Sequence, residues 1–363
     1  MHKDKLHYNS RRIDSYNKPF NFVISERAAG KTANLIATKV YKQWRHHNRP
    51  SIILRRQIAD ITTTYIDDLQ DAINDFIPKS QKIKFEYKKG SIKEGVVDVT
   101  VKGRPFCRFI ALSNPKGRIK SLKYDACQML FDEFIVDVRG GEKYLTDEAN
   151  KFKEIYNTFN RFCVRKYHRP IKCYFAGNPY SVYTPLFTWL NIDLALVHPG
   201  AFIVGPNYVI ECYQTKPELK AWIKANNPLY DDSIEDEYKN YAFNGVAVND
   251  MNIKVEGIQP DGYRLKYVFR ICHKYLGVYH RVTNRKDKIG YDCGKFWIAV
   301  IDYVGENRKI LAVDFDNLIS NSQLVTTDMR ALMWRLKDAI ASRDVTFGSI
   351  DAGYLTESLY GLL

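Results

Sequence analysis

The stretch Phe20–Thr32, FNFVISERAAGKT, decides the fold, because it ends in Gly30-Lys31-Thr32, the signature of a phosphate-binding loop. The apolar residues Phe20–Ile24 predict a buried strand. After the loop, apolar residues recur at Ile36, Val40 and Trp44, a spacing that predicts one face of a helix. A strand, a loop and a helix in this order form the context that a phosphate-binding loop requires.

This loop predicts that the chain binds a nucleoside triphosphate, ATP, together with magnesium. In such loops the backbone amides and the helix N-terminus surround the phosphates, the lysine reaches the β- and γ-phosphates, and the hydroxyl of Thr32 ligates the metal. Ser25 stands where the first glycine of the loop is usual, so the loop is a variant. The candidate nucleotide-binding residues are Ser25, Glu26, Arg27, Ala28, Ala29, Gly30, Lys31 and Thr32.

A second acidic motif lies about a hundred residues later, in Ala126–Glu133. An apolar strand that ends in a carboxylate predicts Asp132 in the magnesium shell, and Glu133 becomes the candidate base that orients the attacking water. The interval between the motifs leaves room for an extra strand, and Ser51–Leu54 supplies an apolar one. This arrangement is typical of the additional-strand class of P-loop ATPases, which have a mainly parallel α/β sheet.

Three further residues are candidates for the chemistry. The apolar run Ile171–Gly177 predicts a core strand that stops at Asn178, whose amide could contact the γ-phosphate or the water; an ordinary turn is the alternative. Charge that develops on a transferred phosphoryl group calls for arginine. Arg27 could act within its own loop, and Arg161, on a helix predicted from Thr146 to Arg165, could act on a neighbouring subunit.

Positive charge is concentrated between Lys79 and Lys123, where thirteen Lys or Arg face three acidic residues. This local excess of ten accounts for most of the formal net charge of +14. Lysines on short loops neutralise phosphates without reading bases, so the segment predicts sequence-independent DNA binding, with a merely solvated basic face as the alternative. The candidate DNA-binding residues are Lys88, Lys89, Lys116, Arg118, Lys120 and Lys123.

The chain changes character after residue 213. We predict a P-loop domain over 1–213, a polar helical linker or lid over 214–260, and a small α+β domain over 261–363 in which a meander of strands precedes a helix. Ribonuclease H is one candidate type for this last domain.

Cysteine usage and hydropathy exclude several classes of protein. The seven cysteines form no Cys-x-x-Cys pair and no metal-like spacing with histidine, so we expect free thiols in a reducing cytoplasm. The sequence has no secretory signal and no apolar run of transmembrane length, and we expect a soluble protein.

These residues together resemble the genome-packaging ATPases of small podophages, the phi-29-type DNA packaging motors. The resemblance includes Asn9-Ser10 and Ser15-Tyr16 before the loop, Leu130–Ile135, the helix with Thr158 and Arg161, and Ala176–Asn178. It is strong over the first 180 residues and weaker beyond them.

The resemblance implies a ring-forming ATPase, pentameric in that family, that docks on the portal of an empty capsid in the host cytoplasm and drives double-stranded DNA inside. It assigns the P-loop contacts to Lys31 and Thr32, the cis arginine to Arg27, the magnesium-site carboxylate to Asp132, the catalytic carboxylate to Glu133 and the trans finger to Arg161. The last domain would be a nuclease-like fold without catalysis that contacts the portal or a packaging RNA. Two alternatives stay open, namely a large terminase with a working nuclease and a non-motor P-loop nucleic-acid-binding NTPase.

Overall fold

The structure, a computed structural model, describes residues 6–115, 117, 119, 124–137, 142, 144–145, 148–181, 184–193, 196–228, 255–271, 273–281, 295–305, 308–313, 315–341, 345–349, 352–353, 355–356 and 359. The chain divides into two compact units. The first unit is made of Met1–Ile135, Glu148–Pro179 and Leu196–Val246, and the second of Val136–Asp147, Tyr180–Ala195 and Ala247–Leu363.

The first unit is built on an eight-stranded sheet with helices. Its helices are α1 Arg11–Ser15, α2 Lys31–Leu35, α3 Lys42–His47, α4 Thr63–Phe76, α5 Glu148–Tyr167 and α7 Pro217–Asn226. The helix between α5 and α7 in the chain, α6 Pro185–Trp189, belongs to the second unit. Its strands are β1 Phe20–Ser25, β2 Ser51–Arg55, β3 Val96–Val101, β4 Arg104–Ala111, β5 Gln128–Asp132, β6 Lys172–Gly177, β7 Phe202–Val204 and β8 Tyr208–Tyr213.

The strand order of this sheet is β3-β4-β2-β5-β6-β1-β8-β7, and the six central strands are parallel. Every residue of β1, β2 and β5 is buried, as expected for parallel strands that are covered on both faces. The predicted additional-strand α/β fold is confirmed. The strand that separates β1 from β5 in the sheet is β6, however, and the apolar strand at Ser51–Leu54 lies on the far side of β5.

Helices cover both faces of this sheet. One face packs against α1, α4 and the helix after the P-loop through a core that includes Ile13, Leu35 and Ile66. The other face carries an aromatic cluster, in which Phe22 stacks on Phe175 at 4.2 Å and Phe152 of α5 lies 5.3 Å from Phe175. The predicted helix from Thr146 to Arg165 is therefore present as α5, two residues further along the chain.

The helix that follows the P-loop is continuous but contains a π-helical segment, Ile36–Tyr41, between α2 and α3. Ile36, Val40 and Trp44 are all buried, as the apolar spacing predicts. A π segment accommodates one more residue per turn and occurs frequently at functional sites.

The second unit contains a six-stranded sheet with the order β13-β12-β9-β10-β11-β14. Its elements are α6 Pro185–Trp189, β9 Tyr263–Ile271, β10 Lys274–Arg281, β11 Lys295–Ile301, β12 Ile310–Ala312, β13 Ser322–Leu324, α8 Thr327–Leu332, α9 Trp334–Ala341 and β14 Val345–Phe347. The antiparallel meander β9-β10-β11 and the helices after β13 give the predicted α+β character.

The predicted domain boundaries stay predictions. Of the segment 214–260, the structure describes residues 214–228, which include α7, and residues 255–260; the remainder lies outside the described residues. Among the described residues, no helix is both long enough and apolar enough to cross a membrane. Five of the seven cysteines are described as free and buried, as expected: Cys107, Cys127, Cys163, Cys173 and Cys212.

Candidate functional site

The loop after β1 turns through two left-handed residues, Ala28 with φ 60° and Gly30 with φ 81°. A Cβ at Gly30 would lie 3.1 Å from side-chain atoms of His7, so glycine suits both the conformation and the space. Ser25 is the last residue of β1 and is buried there. Because its backbone belongs to the strand, serine is tolerated where other loops have glycine.

Lys31 folds back into this loop. Its Nζ donates hydrogen bonds to the carbonyl oxygens of Ser25 at 3.3 Å and Glu26 at 3.4 Å, and to Asn178 Oδ1 at 2.6 Å. Burial, with a smaller contribution from the charge of Arg27, lowers the pKa of Lys31 to about 8, although the negative charges of Asp132 and Glu26 oppose the shift. The structure thus brings together the predicted phosphate-binding lysine and the predicted Asn178 at the ends of β1 and β6.

The two predicted magnesium ligands are also brought together. Thr32 Oγ1 donates to Asp132 Oδ1 at 3.0 Å, and the hydroxyl of Tyr65 donates to Asp132 Oδ2 at 3.2 Å. Burial raises the pKa of the Asp132 carboxyl, although the positive charge of Arg55 opposes this effect. Magnesium prefers oxygen ligands of this kind, keeps several waters, and would stabilise the ionised form of a buried carboxylate. The donor set therefore fits magnesium.

Glu133 follows Asp132 in a left-handed conformation, with φ 58°, and its side chain is 58% exposed. Backbone strain of this kind in a residue other than glycine costs about 1–2 kcal/mol. The carboxylate is paired with Arg55, whose Nη2 lies 2.6 Å from Glu133 Oε2. Arg55 also stacks over the ring of Tyr65 at 4.4 Å and reaches Asp132 Oδ2 at 3.6 Å, so one arginine contacts both predicted carboxylates.

A second arginine fixes the turn that carries Glu133. Arg56 is buried, and it donates from Nη1 to the carbonyl of Glu133 at 3.0 Å and from Nη2 to the carbonyl of Phe134 at 2.8 Å. The same guanidinium binds Glu148, the first residue of α5, at 2.9 Å and 3.1 Å. A bidentate pair of this kind is geometrically specific. Arg56 therefore holds the strained Glu133 turn and the start of α5 together.

Sequence reasoning missed Arg55, Arg56 and Glu148. The available signal was the pair of arginines directly after the apolar run Ser51–Leu54. In a parallel sheet the carboxyl ends of adjacent strands meet at one edge, and β2 lies next to β5. That adjacency brings the arginines to Asp132 and Glu133.

Glu26 links the P-loop to the segment that follows β8. Its buried carboxylate accepts hydrogen bonds from the backbone N–H of Thr215 at 3.1 Å and from the Thr215 hydroxyl at 2.9 Å. It also lies 3.0 Å from Nζ of Lys220 on α7. Part of the segment predicted as a linker or lid therefore contacts the predicted nucleotide-binding loop.

The remaining predicted residues are distributed differently. Arg27 is exposed on the loop. Arg161 is exposed on α5, where its Nε donates to the carbonyl of Asn157 at 3.3 Å. It lies thirteen residues after Glu148, about 20 Å along the helix axis. The structure therefore does not bring Arg161 to the site of its own chain, where Glu148 lies.

The predicted DNA-binding residues are described only in part. Lys88 and Lys89 are exposed at the start of a 3₁₀ turn over Lys89–Glu94. Lys116, Arg118, Lys120 and Lys123 lie outside the described residues.

Comparison with solved structures gives matches over nearly the whole chain. The Phi-28 gp11 DNA packaging motor matches 98% of this chain and 97% of its own length, with a TM-score of 0.62 and 17% sequence identity. The bacteriophage Phi-29 viral genome packaging motor assembly matches 99% of this chain and 100% of its own, with a TM-score of 0.58 and 18% identity. The chain has the fold of the phage packaging motors. At this identity the likeness concerns the fold alone.

Comparison of the sequence itself gives no such match. No protein-family model matches the chain, and no curated protein sequence matches it.

Proposed function

We propose that this protein is an ATP-driven motor that moves double-stranded viral DNA into a preformed capsid. One observation carries the proposal: the ends of β1, β5 and β6 bring Lys31, Asp132 and Asn178 to one edge of the sheet. The fold shared with two packaging motors supports the step from an ATPase site to a motor. Hydrolysis of ATP is the part of this proposal that needs only the residues at this edge of the sheet.

Each residue has a distinct role in the proposed hydrolysis. When bound, magnesium and ATP supply the phosphoryl group for transfer to water and a cation that offsets its charge. Lys31 would exchange its contacts with the loop carbonyls for phosphate oxygens, and Thr32 and Asp132 would hold the metal through their oxygen atoms. Glu133 orients the water and accepts its proton. Asn178, whose Oδ1 accepts a hydrogen bond from Nζ of Lys31 at 2.6 Å, would report on the γ-phosphate.

The carboxylate of Glu133 is paired through Oε2 with Nη2 of Arg55 at 2.6 Å. We infer that nucleotide binding exchanges this ion pair for a contact with the attacking water. The Glu133 side chain is largely solvent-exposed, which leaves room for this movement.

We propose further that the subunits form a ring on the capsid portal, with Arg161 completing the site of a neighbour. The position of Arg161, about 20 Å along α5 from Glu148, suits action in trans better than action in cis. Mixing Arg161→Ala subunits with Glu133→Gln subunits should then restore part of the ATP hydrolysis that each variant lacks alone. Absence of rescue in rings shown to be mixed would assign Arg161 a structural role.

The proposed cargo contact lies on the basic segment, with Lys88, Lys89, Lys116, Arg118, Lys120 and Lys123 as phosphate contacts. A packaging RNA, where the system has one, and the portal would contact the second unit. The motor would act in the host cytoplasm while docked on the procapsid, and would be absent from the mature virion.

The proposal is tested by ATP hydrolysis measured with and without double-stranded DNA and capsids. We expect DNA to stimulate hydrolysis, and Lys31→Ala to lose both nucleotide binding and turnover. Metal-dependent cleavage of the DNA in the same samples would favour a large terminase. A monomer that hydrolyses ATP slowly, at a rate that DNA does not change, would favour a non-motor NTPase.

A further inference from the structure

A polar cavity of about 360 Å³ lies in the first unit. We call it the basic groove; it lies between α1, the π segment with α3, and the first residues of β5 and β6, Gln128 and Lys172. Asp132 closes the same strand that Gln128 opens, so the groove and the proposed nucleotide site are about 13 Å apart along β5. Neither Lys31 nor Asp132 lines the groove.

Positive charge dominates this groove. Among the described residues, its lining contains one carboxylate, Asp14, and five cationic side chains, which are Arg11, Lys39, Lys42, Arg169 and Lys172. Asp14 pairs with Lys39 and accepts a hydrogen bond from the hydroxyl of Tyr174 at 3.1 Å. One carboxylate cannot balance five cations, so an excess of four positive charges faces the cavity.

Partial burial makes this excess unfavourable for the protein alone. Burial lowers the pKa of Lys39, although Asp14 opposes the shift, and burial also lowers the pKa of Lys172. The two lysines come from different elements, the π segment and β6. A bound anion would stabilise the charged form of both.

Two buried polar atoms in the groove have no hydrogen-bond partner among the described residues. They are Oε1 of Gln128, a residue that is only 5% exposed, and Nε of Arg169. An unpaired buried polar atom is costly, and in native proteins it commonly marks a ligand or water site. The amide of Gln128 can present either its oxygen or its nitrogen, since the two orientations are assigned from the hydrogen-bond network. A guanidinium and an amide beside several lysines form a donor set suited to an oxyanion.

The elements around the groove are held in place without a ligand. Ser10, just before α1, contacts two residues of the helix after the P-loop: its N–H donates to Asn34 Oδ1 at 3.2 Å, and its hydroxyl lies 3.4 Å from that of Thr38 in the π segment. These bonds connect α1 to the helix that also carries Lys31 and Thr32. The groove is therefore a preformed cavity of these elements.

We propose that the basic groove is a second anion site that binds a phosphate group, separate from the P-loop. Phosphate suits the site better than a carboxylate, because its oxygens point in several directions and can accept from cations on several elements at once. The cavity volume falls at the lower end of the range for small-ligand pockets. The phosphate can belong to a small free ligand or to a DNA backbone, and the chemistry of the groove is the same for both.

Binding of inorganic phosphate to the full chain, with the P-loop saturated by magnesium and a non-hydrolysable ATP analogue, tests the proposal. We expect calorimetry to detect one further phosphate per chain. The double variant Arg169→Gln/Lys172→Gln should weaken this binding at least tenfold. Arg45→Gln/Lys295→Gln, which removes two exposed cations elsewhere, should leave it unchanged. No phosphate beyond the P-loop, or equal binding by the two double variants, would overturn the proposal.

A third variant separates binding from folding. Gln128→Leu removes the unpaired amide while keeping a side chain of similar size, so its thermal midpoint should equal or exceed that of the parent. Phosphate affinity should nevertheless fall severalfold. Unchanged phosphate affinity in a folded Gln128→Leu protein would show that the Gln128 amide does not contact the ligand. That result would contradict the proposed phosphate site.

The source of the phosphate is distinguished by adding double-stranded DNA. If the groove holds the DNA backbone, phosphate competes with DNA, and Arg169→Gln/Lys172→Gln lowers the slope of log affinity against log salt by about 2. If the ligand is a small free phosphate compound, phosphate binds while the DNA affinity and its salt slope stay those of the parent. Both results retain the phosphate site. Phosphate binding is measured without ATP hydrolysis, so failure of this proposal can be distinguished from failure of the proposed motor function.

Discussion

The two sheets of this chain carry polar residues at their strand ends in different ways. In the first unit, three neighbouring strands deliver Lys31, Asp132 and Asn178 to one edge, within hydrogen-bond distance of one another or of Thr32. In the second unit, β9 contains no aspartate, and Asp302 is exposed just after β11. The described residues contain no group of three or more His, Cys, Asp or Glu side chains that could hold a metal.

We assign the proposed chemistry to the first unit, because the contacts among Lys31, Asn178, Thr32 and Asp132 lie there. A nuclease that uses two metals needs clustered carboxylates. In the second unit Asp302 is described; Asp314 and Asp351, and the side chain of Asp316, lie outside the described residues.

The largest effect should come from Glu133→Gln. The amide keeps the size of the side chain and cannot accept the proton of water, so turnover should fall by about 10²–10⁴ while nucleotide binding persists. The measurement is single-turnover ATP hydrolysis beside nucleotide affinity. Asp302→Asn makes the same change of carboxylate to amide in the second unit, and it should hydrolyse ATP at the parent rate. Near-normal hydrolysis by Glu133→Gln would remove Glu133 from its role.

How much of this edge the sequence could predict depends on how local the signal is. The P-loop is contiguous in the sequence, so its glycine, lysine and threonine can be recognised together as a motif. The strand that ends at Asp132 can be recognised from its apolar run. The contacts described above bring these residues together, and their roles stay predictions. Asn178 was predicted because a polar residue follows the apolar run of a core strand.

The contacts that the sequence could not predict join residues that are far apart in the chain. Arg55 meets Glu133, Arg56 meets Glu148, and Glu26 meets Lys220 only because of the order of strands in the sheet and the position of α7. A single sequence does not encode that order in any one segment. The left-handed backbone conformation of Glu133 could not be predicted either, because glutamate has no preference for positive φ that would indicate it.

The next effect concerns the stability of the first unit. Glu148 is 1% exposed and paired with Arg56, so Glu148→Ala leaves a buried guanidinium without its partner and should cost about 3–5 kcal/mol of unfolding free energy. Denaturant unfolding measures this loss.

A double variant separates stability from function in the same prediction. Arg56→Met/Glu148→Leu replaces the buried pair by apolar side chains and should recover most of the unfolding free energy. Its hydrolysis should remain low, because Arg56 no longer holds the carbonyls of Glu133 and Phe134. Full recovery of ATP hydrolysis in the double variant would show that the Glu133 turn needs no support from Arg56.

The smallest effect is a pH dependence that only the first unit should show. The pKa of Lys31 is lowered to about 8, so the free protein loses this positive charge as pH rises through that value. The phosphates of ATP are already fully ionised there, since their last ionisation lies near pH 6. Nucleotide affinity should therefore be constant below pH 7.5 and should fall toward tenfold per pH unit above 8, as equilibrium binding from pH 7 to 9.5 can measure.

The lowered pKa of Lys31 also makes the free energy of unfolding depend on pH. Between about pH 8 and the ordinary lysine pKa of 10.5, the unfolded chain binds the proton of Lys31 more tightly than the folded chain does. The contribution of Lys31 to stability therefore rises with pH across this window and is lost as pH falls through 8. Lys31→Arg is the matched control, because a guanidinium stays charged throughout. Its nucleotide affinity, even if weaker, should not change with pH, and Asp302→Asn should follow the parent. A flat parent profile would mean that Lys31 keeps its proton without phosphate, and that the contacts with the two loop carbonyls and Asn178 compensate for its burial.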